Sequence, residues 1–413
     1  MNAEIITIGD ELLIGQVIDT NSAWLGQQLS GLGIKLCYKS SISDNKEAIQ
    51  NALKDAELRS DIIILTGGLG PTKDDITKVT ICEYFNTSLV QNDKVLEWVQ
   101  SIFRFRKMPM LDVNNMQALV PANCEILWNK NGTAPGMWFD VNNKIFISLP
   151  GVPFEMKTIF EEEAVPKINS KFKLPSIFHR TLQTVSIGES FLAKKIEDIE
   201  NSLPSYIKLA YLPSVGAVRL RFSAYGDDKI SLEKEVEEYV KQVYEKISDH
   251  IYGEGDASLT QTLGNLLKER KQTISTAESC TGGYIAHQLT SVPGSSSYFM
   301  GSIVCYANKI KTQELGVSED ILRNNGAVSE ECVIQMAQAV RLKMNTTFGI
   351  SCSGIAGPDG GTNDKPLGTV WIAIASEKET LAQVFNFGDN RERTIQRTGL
   401  MAMDMLRKKI LNG

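Results

Sequence analysis

A serine stands where a strand-like segment runs into a glycine turn. Ser279 lies within TAESCTGG, residues 276–283, ahead of a helix-like segment. A hydroxyl at such a turn can attack a substrate carbonyl, and the N–H groups near Gly282 and Gly283 can stabilise the resulting anion. Thr281 belongs to the same predicted substrate-binding turn. A serine alone is a weak nucleophile, so this chemistry needs a nearby base.

Three side chains of one short segment are candidate bases. They stand in YANKIK, after a strand-like run, and are Tyr306, Lys309 and Lys311. Serine–lysine pairs are a recognised variant of serine acyl chemistry. His287 is nearer along the chain, but it falls two turns into the following helix, where packing or surface exposure explains it better. Taken one at a time, Ser279 is explained as a helix cap and Lys311 as a surface charge.

A second glycine loop, SGIAGPDGG at residues 353–361, follows the strand-like run FGISC. Glycine lets the backbone approach a ligand closely, so Gly354 and Gly357 are predicted to contact a phosphate or to fold over a substrate. Asn308 is predicted to bind the same substrate. Cys280, beside the serine, is a rival nucleophile.

The first third of the chain carries a different kind of site. TGGLGPTKDDIT follows the buried run DIIIL, and its glycines can present N–H groups to phosphate. Those glycines are Gly67, Gly68 and Gly70. The carboxylates of Asp74 and Asp75 follow at once, and such acids can hold a divalent cation for phosphoanhydride hydrolysis. The Lys-Ser/Thr pair of a P-loop is absent, so a Walker A site is not supported.

Other acids are expected to converge on this loop. Asp10 ends the first strand-like run, and Asp44 opens the second helix-like segment. Ligands of an open parallel sheet bind at the carboxyl ends of its strands, where both side chains would lie. The alternative for Asp44, and for Asp19 at the first helix, is simple helix capping.

Composition limits the classes of function. The chain has 413 residues, with 43 basic and 49 acidic side chains, and the net charge of −6 argues against non-specific nucleic-acid binding as its main role. No apolar run reaches the length of a membrane-spanning helix, so no membrane association is expected. Seven scattered cysteines and three histidines form neither a disulfide framework nor a zinc pattern, which favours a reducing, cytoplasmic location.

The pattern of elements predicts three domains. Strand-like and helix-like segments alternate at the start of the chain, which predicts a three-layer α/β domain with a parallel sheet over residues 1–170. Residues 175–252 follow a β-α-β-β-α order and predict a small α+β module. A layered α/β domain is expected over residues 255–413. Residues 160–180 are charged and contain two prolines, which predicts a helix end and a linker.

The amino-terminal motifs resemble those of a known family. GDELLIG, DTN, TGGLGPTKDDIT, NNMQALVP, NGTAPG and LPGVPFEM match, in order, the MoaB/MogA-like, molybdopterin-binding fold as it occurs in CinA proteins. In CinA-like proteins this domain is associated with hydrolysis of ADP-ribose to AMP and ribose 5-phosphate, aided by a divalent metal (Mg, Mn or Co) and potassium. The resemblance implies metal ligands at Asp10, Asp44 and Asp75, a ligand loop at Gly67, Gly68 and Gly70, and a nucleotide pocket at Asn131 and Thr133.

The later motifs resemble the rest of the same family. AESCTGG, PGSSSYF, YANKIK, GAVSEE and SGIAGPDGGTNDKPLGTVW match the CinA carboxy-terminal domain, which is similar to nicotinamide-nucleotide amidases. These enzymes convert nicotinamide mononucleotide (NMN) to nicotinate mononucleotide and ammonia without a cofactor. The family pattern places the catalytic groups at Ser279, Tyr306 and Lys311. The middle module resembles a KH domain but lacks the GxxG loop with basic flanks that binds nucleic acid.

Together the resemblances imply a bifunctional pyridine-nucleotide recycling hydrolase that acts on NMN and ADP-ribose and forms a homodimer. Two alternatives belong to other classes. One is a non-catalytic, competence-associated protein that acts through a partner. The other is molybdopterin binding, against which Leu69 counts, since MogA-like proteins usually have threonine there.

Overall fold

The computed structural model describes residues 1–72 and 75–412, and the chain divides into two compact units. Unit 1 is Met1–Ile177 with Tyr225–Lys229, and unit 2 is Phe178–Ala224 with Ile230–Gly413. Throughout the described part of the chain, no helix combines the length and apolarity needed to cross a membrane.

Unit 1 is built on a six-stranded sheet with order β2-β1-β3-β8-β7-β6, beside a β4-β5 hairpin. Its elements are β1 (Asn2–Ile8), α1 (Asp10–Leu13), α2 (Thr20–Gly31), β2 (Lys35–Ile42), α3 (Lys46–Arg59), β3 (Ile62–Thr66), α4 (Thr77–Tyr84), β4 (Leu89–Gln91), α5 (Asp93–Phe105), α6 (Asp112–Asn115), β5 (Leu119–Pro121), β6 (Glu125–Leu127), β7 (Gly136–Val141), β8 (Lys144–Leu149), α7 (Pro153–Ile159) and α8 (Val165–Lys171).

Successive residues of its central strands pack into different cores. Ile5 and Ile64 face Leu25 and Leu29 of α2, whereas the intervening strand residues face α3 on the other side. Since side chains alternate along a strand, a fully apolar strand must be covered on both faces. The predicted three-layer arrangement is confirmed.

The parallel sheet predicted from the first strands is present, but the complete sheet is antiparallel at one edge. β2, β1, β3 and β8 are parallel, but β7 runs antiparallel to β8, and β6 to β7. The reason is the two-residue turn at Asn142 and Asn143, where both φ angles are positive, at 53° and 64°. Such a turn returns the chain beside itself and therefore makes an antiparallel hairpin.

Unit 2 begins with a four-stranded sheet of order β10-β11-β9-β12, covered by two helices, as expected for a small α+β module. Its elements are β9 (Ser176–Val185), α9 (Glu189–Ser202), β10 (Ile207–Ser214), β11 (Ala217–Gly226), α10 (Lys229–Ile247) and β12 (Ile251–Glu254). The linker predicted for residues 160–180 was too long. A π-helical turn at Phe160–Ala164 leads into α8, where Pro166 is tolerated because it stands in the first helical turn.

The remainder of unit 2 is a five-stranded sheet of order β14-β13-β15-β16-β17 between two helical layers. Its elements are α11 (Leu259–Glu269), β13 (Ile274–Glu278), α12 (Tyr284–Thr290), β14 (Phe299–Val304), α13 (Asn308–Leu315), α14 (Glu319–Asn324), α15 (Glu330–Lys343), β15 (Phe348–Gly354), β16 (Thr369–Ala375), β17 (Thr380–Asn386) and α16 (Arg391–Asn412). β13 lies between its parallel neighbours β14 and β15, so the residue that follows it emerges at the carboxyl edge of the sheet.

Candidate functional site

Ser279 is the first residue after β13. Its N–H donates to the carbonyl oxygen of Cys352 on β15 at 3.1 Å, which extends the strand pairing by one residue. The chain then turns sharply into α12 through Gly282 and Gly283, whose φ angles of 60° and 101° are left-handed. Glycine reaches these angles without a steric penalty, so this turn can place the serine hydroxyl at the sheet edge.

Lys311, on α13, meets this serine inside the protein. The side chain is only 1% exposed, and its Nζ lies 2.9 Å from Ser279 Oγ and 2.8 Å from the carbonyl oxygen of Cys305. A longer contact of 3.4 Å reaches the Tyr306 carbonyl. In its neutral form the amine has two N–H bonds for these two carbonyls and a lone pair for the serine O–H. The arrangement therefore suits proton removal from Ser279.

The geometry separates the three candidate bases. Only Lys311 contacts the serine hydroxyl among the described residues, while Lys309 points outward from the same helix and is exposed. The Tyr306 side chain is 61% exposed, and its hydroxyl accepts a 3.2 Å hydrogen bond from Arg391 Nη2. Tyr306 thus stands at the mouth of the site rather than on the serine.

A pocket of about 190 Å³ opens over the serine and lysine. The predicted contacts Asn308 and Gly354 line it, along with Tyr306. Its full lining is Ser279, Cys280, Tyr306, Asn308, Lys311, Ala327, Val328, Ser353, Gly354, Ala356 and Arg391. Gly357, also predicted to contact the substrate, does not line this pocket. Its carbonyl oxygen accepts a hydrogen bond from Arg391 Nη1 at 2.9 Å.

The predicted oxyanion donors are already bonded, which corrects that expectation. Gly282 N donates to the Ser279 carbonyl at 3.1 Å, and Gly283 N donates to Glu278 Oε2 at 3.1 Å. Thr281 is also turned inward, with its hydroxyl 2.7 Å from the same carboxylate oxygen. Over the described residues, the N–H groups of Cys280 and Thr281 donate to no other residue, so these two donors are left beside the nucleophile.

Cys280 is a poor rival to the serine. Its thiol is buried, and a hydrogen bond with Cys352 together with burial raises the pKa of the Cys280 thiol well above its ordinary value. The thiolate is the nucleophilic form of cysteine, so this thiol is held in its unreactive form.

Three positions of the glycine loop in unit 1 leave little room for a side chain. Gly67 and Gly68 have φ angles of 119° and 64°, and a Cβ there would lie 2.3 Å from the Ile8 carbonyl oxygen and 2.1 Å from Thr77 Oγ1. At Gly70 a Cβ would lie 2.4 Å from an Asp75 oxygen. The loop therefore packs its bare backbone against β1 and the start of α4.

The predicted metal ligands do not come together as one centre. Asp10 N donates to Asp44 Oδ2 at 3.1 Å, so these two acids are neighbours. Asp75 instead closes its own loop, accepting from Gly70 N at 2.8 Å and Thr72 N at 2.9 Å. In the part of the chain that the structure describes, no three acidic, histidine or cysteine side chains could share a metal ion. Asp74 lies outside the described residues, so a metal held by fewer protein ligands stays a prediction.

Hydrogen bonds in unit 1 decide the helix-capping alternatives and show one contact of Asn131. Asp19 does cap α2, accepting from Ser22 N at 2.9 Å, but α3 is capped by Asn45 rather than Asp44. Asn131 Nδ2 donates to Thr158 Oγ1 at 2.9 Å. A pocket of about 130 Å³ lies at the ends of β1 and β3, and neither Asn131 nor Thr133 lines it.

Full-length relatives decide the family. A CinA-like protein of Cytophaga hutchinsonii is 50% identical over 408 residues, covering 99% of this chain and 98% of the relative. The CinA-like protein of Flavobacterium psychrophilum is 50% identical over 413 residues, covering 100% and 99%. The chain belongs to the CinA family.

Three family models divide this CinA chain. They describe a probable molybdopterin binding domain over residues 4–170, a damage-inducible protein CinA KH domain over 179–253, and a CinA C-terminal domain over 256–410. Among solved structures, the competence/damage inducible protein CihA of Agrobacterium tumefaciens is 35% identical over 38% of this chain and 94% of its own, with a TM-score of 0.36.

Two residues of the CinA site were missed by the sequence reasoning. Glu278 carried a signal, because a carboxylate directly before Ser279 ends the strand segment ISTAE, which is buried throughout. Arg391 carried none, since it stands 85 residues beyond Tyr306 at the start of α16. The fold places Arg391 in the lining of the pocket and buries Glu278 outside that lining, next to Ser279.

The CinA N-terminal domain also buries an amine. Lys78, in the first turn of α4, is 9% exposed, and its Nζ donates to the carbonyls of Met116 at 3.3 Å and Gln117 at 3.4 Å. Burial lowers the pKa of Lys78 from 10.5 to about 8. At a pH between these two pKa values, Lys78 is protonated in the unfolded state but largely neutral in the folded state. The free energy of unfolding of the domain therefore rises with pH from about 8 to about 10.

We expect Lys78→Met to remove this rise and to raise the stability of the domain at pH 7 by roughly 1–3 kcal/mol, because it replaces a buried cation with an apolar chain of similar length. Amide hydrogen exchange of α4 at several pH values measures the effect. Lys54→Met, at an exposed position on α3, is the control. A rise that persists in the Lys78 variant would contradict the assignment.

Proposed function

We propose that the C-terminal domain of this CinA chain hydrolyses the carboxamide of NMN, giving nicotinate mononucleotide and ammonia through an acyl-enzyme on Ser279. The observation that carries the proposal is the 2.9 Å contact between Ser279 Oγ and Lys311 Nζ inside a pocket. The family resemblance supplies the substrate. No cofactor is required, because a hydroxyl and an amine suffice for acyl transfer.

The groups in the pocket support a two-step reaction. As Ser279 Oγ attacks the carboxamide carbon, its proton passes to the Lys311 amine, and the oxyanion meets the Cys280 N–H. The C–N bond then breaks, and Lys311 returns the proton to the departing ammonia. In the second step Lys311 removes a proton from water, which attacks the ester. Nicotinate mononucleotide leaves, and Ser279 recovers its proton.

Arg391 is the proposed partner of the substrate phosphate. It is a cationic residue in the pocket lining, and two of its N–H groups already hold Gly357 and Tyr306, which orients the guanidinium. Arginine suits phosphate because its planar fork can donate two parallel hydrogen bonds.

Replacing Arg391 with glutamine is expected to raise the KM for NMN by about 10- to 100-fold with a smaller change in kcat, because a charge-assisted contact is lost. Steady-state kinetics with NMN and with the phosphate-free riboside measure this. The riboside should lose little from the change. Lys309→Gln, on the exposed face of α13, is the control. Equal losses for both substrates would show that Arg391 does not read the phosphate.

The direct test is ammonia release from NMN by the purified full-length chain. Turnover that produces nicotinate mononucleotide in equal amount is the expected result. A folded chain that releases no ammonia would overturn the proposal and favour the competence-associated, partner-binding alternative.

We infer a second candidate function for the N-terminal domain, hydrolysis of ADP-ribose to AMP and ribose 5-phosphate. The family resemblance supplies the substrate, and the pocket of about 130 Å³ at the ends of β1 and β3 supports a ligand site in this domain. Because the described residues form no cluster of three metal ligands, no step is assigned to a metal. AMP formation should be assayed with Mg²⁺, Mn²⁺ or Co²⁺, with and without K⁺, and after chelation. Absence of AMP under every condition, with tight pterin binding by calorimetry, would favour the molybdopterin alternative.

A further inference from the structure

Glu278 is a buried carboxylate at the end of β13, 0% exposed, immediately before Ser279. Its Oε2 accepts from Gly283 N at 3.1 Å and Ile285 N at 3.0 Å, and its Oε1 accepts from Ala286 N at 2.8 Å. Three hydroxyls also donate to this carboxylate, that of Thr281 to Oε2 at 2.7 Å and those of Thr276 and Ser302 to Oε1 at 3.3 Å and 3.4 Å. The Glu278 side chain thus accepts hydrogen bonds both from N–H groups at the start of α12 and from the turn that leads into this helix.

The main chain of Glu278 holds the other side of the site. Its carbonyl oxygen accepts from Cys305 N at 2.8 Å, and the Cys305 carbonyl in turn accepts from Lys311 Nζ at 2.8 Å. The residue before the nucleophile is therefore bonded both to the turn that carries Ser279 and to the segment that anchors the lysine. A shift of Glu278 would change the distance between Ser279 Oγ and Lys311 Nζ.

Burying this carboxylate is costly, and among the described residues it has no ion-pair partner. The N–H groups at the start of α12 and the three hydroxyls replace the hydrogen bonds to water that the carboxylate loses on burial. An ordinary hydroxyl cap would satisfy such a turn with less desolvation. The additional desolvation free energy of a buried carboxylate is explained by a need for a rigid turn at the nucleophile.

We propose that Glu278 is a positioning residue for Ser279, holding the turn so that the hydroxyl stays on Lys311 and the Cys280 N–H is left for the oxyanion. The inference rests on the proposed amidase function. Glu278 touches neither the substrate nor the reacting atoms, and it acts through the turn.

Glu278→Gln tests this role, because glutamine has nearly the same shape as glutamate. Its amide, however, places N–H donors against the N–H groups of α12 and so weakens the contacts that hold the turn. The kcat for NMN is expected to fall about 100-fold, since a displacement near 1 Å can have that effect, while KM changes less than about threefold. Labelling of Ser279 by a fluorophosphonate should slow in parallel. The matched control is Asp404→Asn, a 1% exposed carboxylate bonded to Arg407 and Lys408, which should keep both rates.

The two readouts separate this inference from the proposed function. Wild-type protein that is labelled at Ser279 yet releases no ammonia from NMN would overturn the amidase proposal, and the labelling rates would still test Glu278. A folded Glu278→Gln protein with unchanged kcat and labelling would overturn the positioning role. So would a wild-type Ser279 that is not labelled at all, because the inference holds that Glu278 sustains a reactive hydroxyl.

A second variant keeps the test decisive if Glu278→Gln does not fold. Thr281→Val removes one contact to Oε2 and leaves the carboxylate in place. We expect about a tenfold fall in kcat and in labelling, again with little change in KM. Unchanged labelling in this variant would overturn the inference.

Discussion

Replacing Ser279 with alanine is expected to lower the kcat for ammonia release from NMN by at least about a thousandfold, because it removes the hydroxyl that forms the acyl-enzyme. The serine is 7% exposed and its hydroxyl touches Lys311, so the change removes one oxygen and leaves the turn intact. A coupled ammonia assay, with circular dichroism to show that the fold is retained, measures the effect. Mass spectrometry of the wild type during turnover should show an adduct on Ser279.

Cys280→Ala is the companion variant, because it removes the rival nucleophile and keeps the backbone N–H. Its thiol is buried and its pKa is raised by the bond to Cys352 and by burial, so most of the activity should survive. If the alanine at position 280 abolishes turnover and the alanine at 279 does not, the nucleophile has been assigned to the wrong residue.

Lys311→Met is expected to lower kcat by roughly 10²- to 10⁴-fold, the usual contribution of a positioned general base. The methionine has similar length and fills the same buried space without a lone pair. Lys311→Arg should be almost as inactive, since a guanidinium has no acceptor for the serine proton. The pH-independent kcat of the variants, compared with the wild type, measures the loss.

Lys309→Met is the matched control, because Lys309 is on the same helix two residues away and is exposed. We expect its kcat to remain near that of the wild type. A larger loss at Lys309 than at Lys311 would mean that α13 presents its other face during catalysis. Circular dichroism would detect unfolding of the Lys311→Met protein. In that case the kcat of the Lys311→Arg variant would test whether Lys311 is the general base.

Local patterns accounted for much of the fold. The run DIIIL predicted a buried strand because it has no polar face, and β3 is buried throughout. The alternation of strand and helix predicted three layers in unit 1. The antiparallel edge could not be predicted, because it depends on the left-handed conformations of Asn142 and Asn143 and on which strands the returning chain meets. The helix through Pro166 was missed because a π-helical turn precedes it.

The candidate site shows the same division. The sequence by itself determined the family, the serine at a strand-to-helix turn, and a short segment with three possible bases. Only the tertiary structure selected Lys311, added Glu278 and Arg391, assigned the N–H groups of Gly282 and Gly283 to internal bonds, and kept Asp75 apart from Asp10 and Asp44. The physical reason is that composition and spacing specify which groups exist along one chain. Hydrogen-bond partners, burial and distance depend on segments that are remote in sequence and meet only after folding.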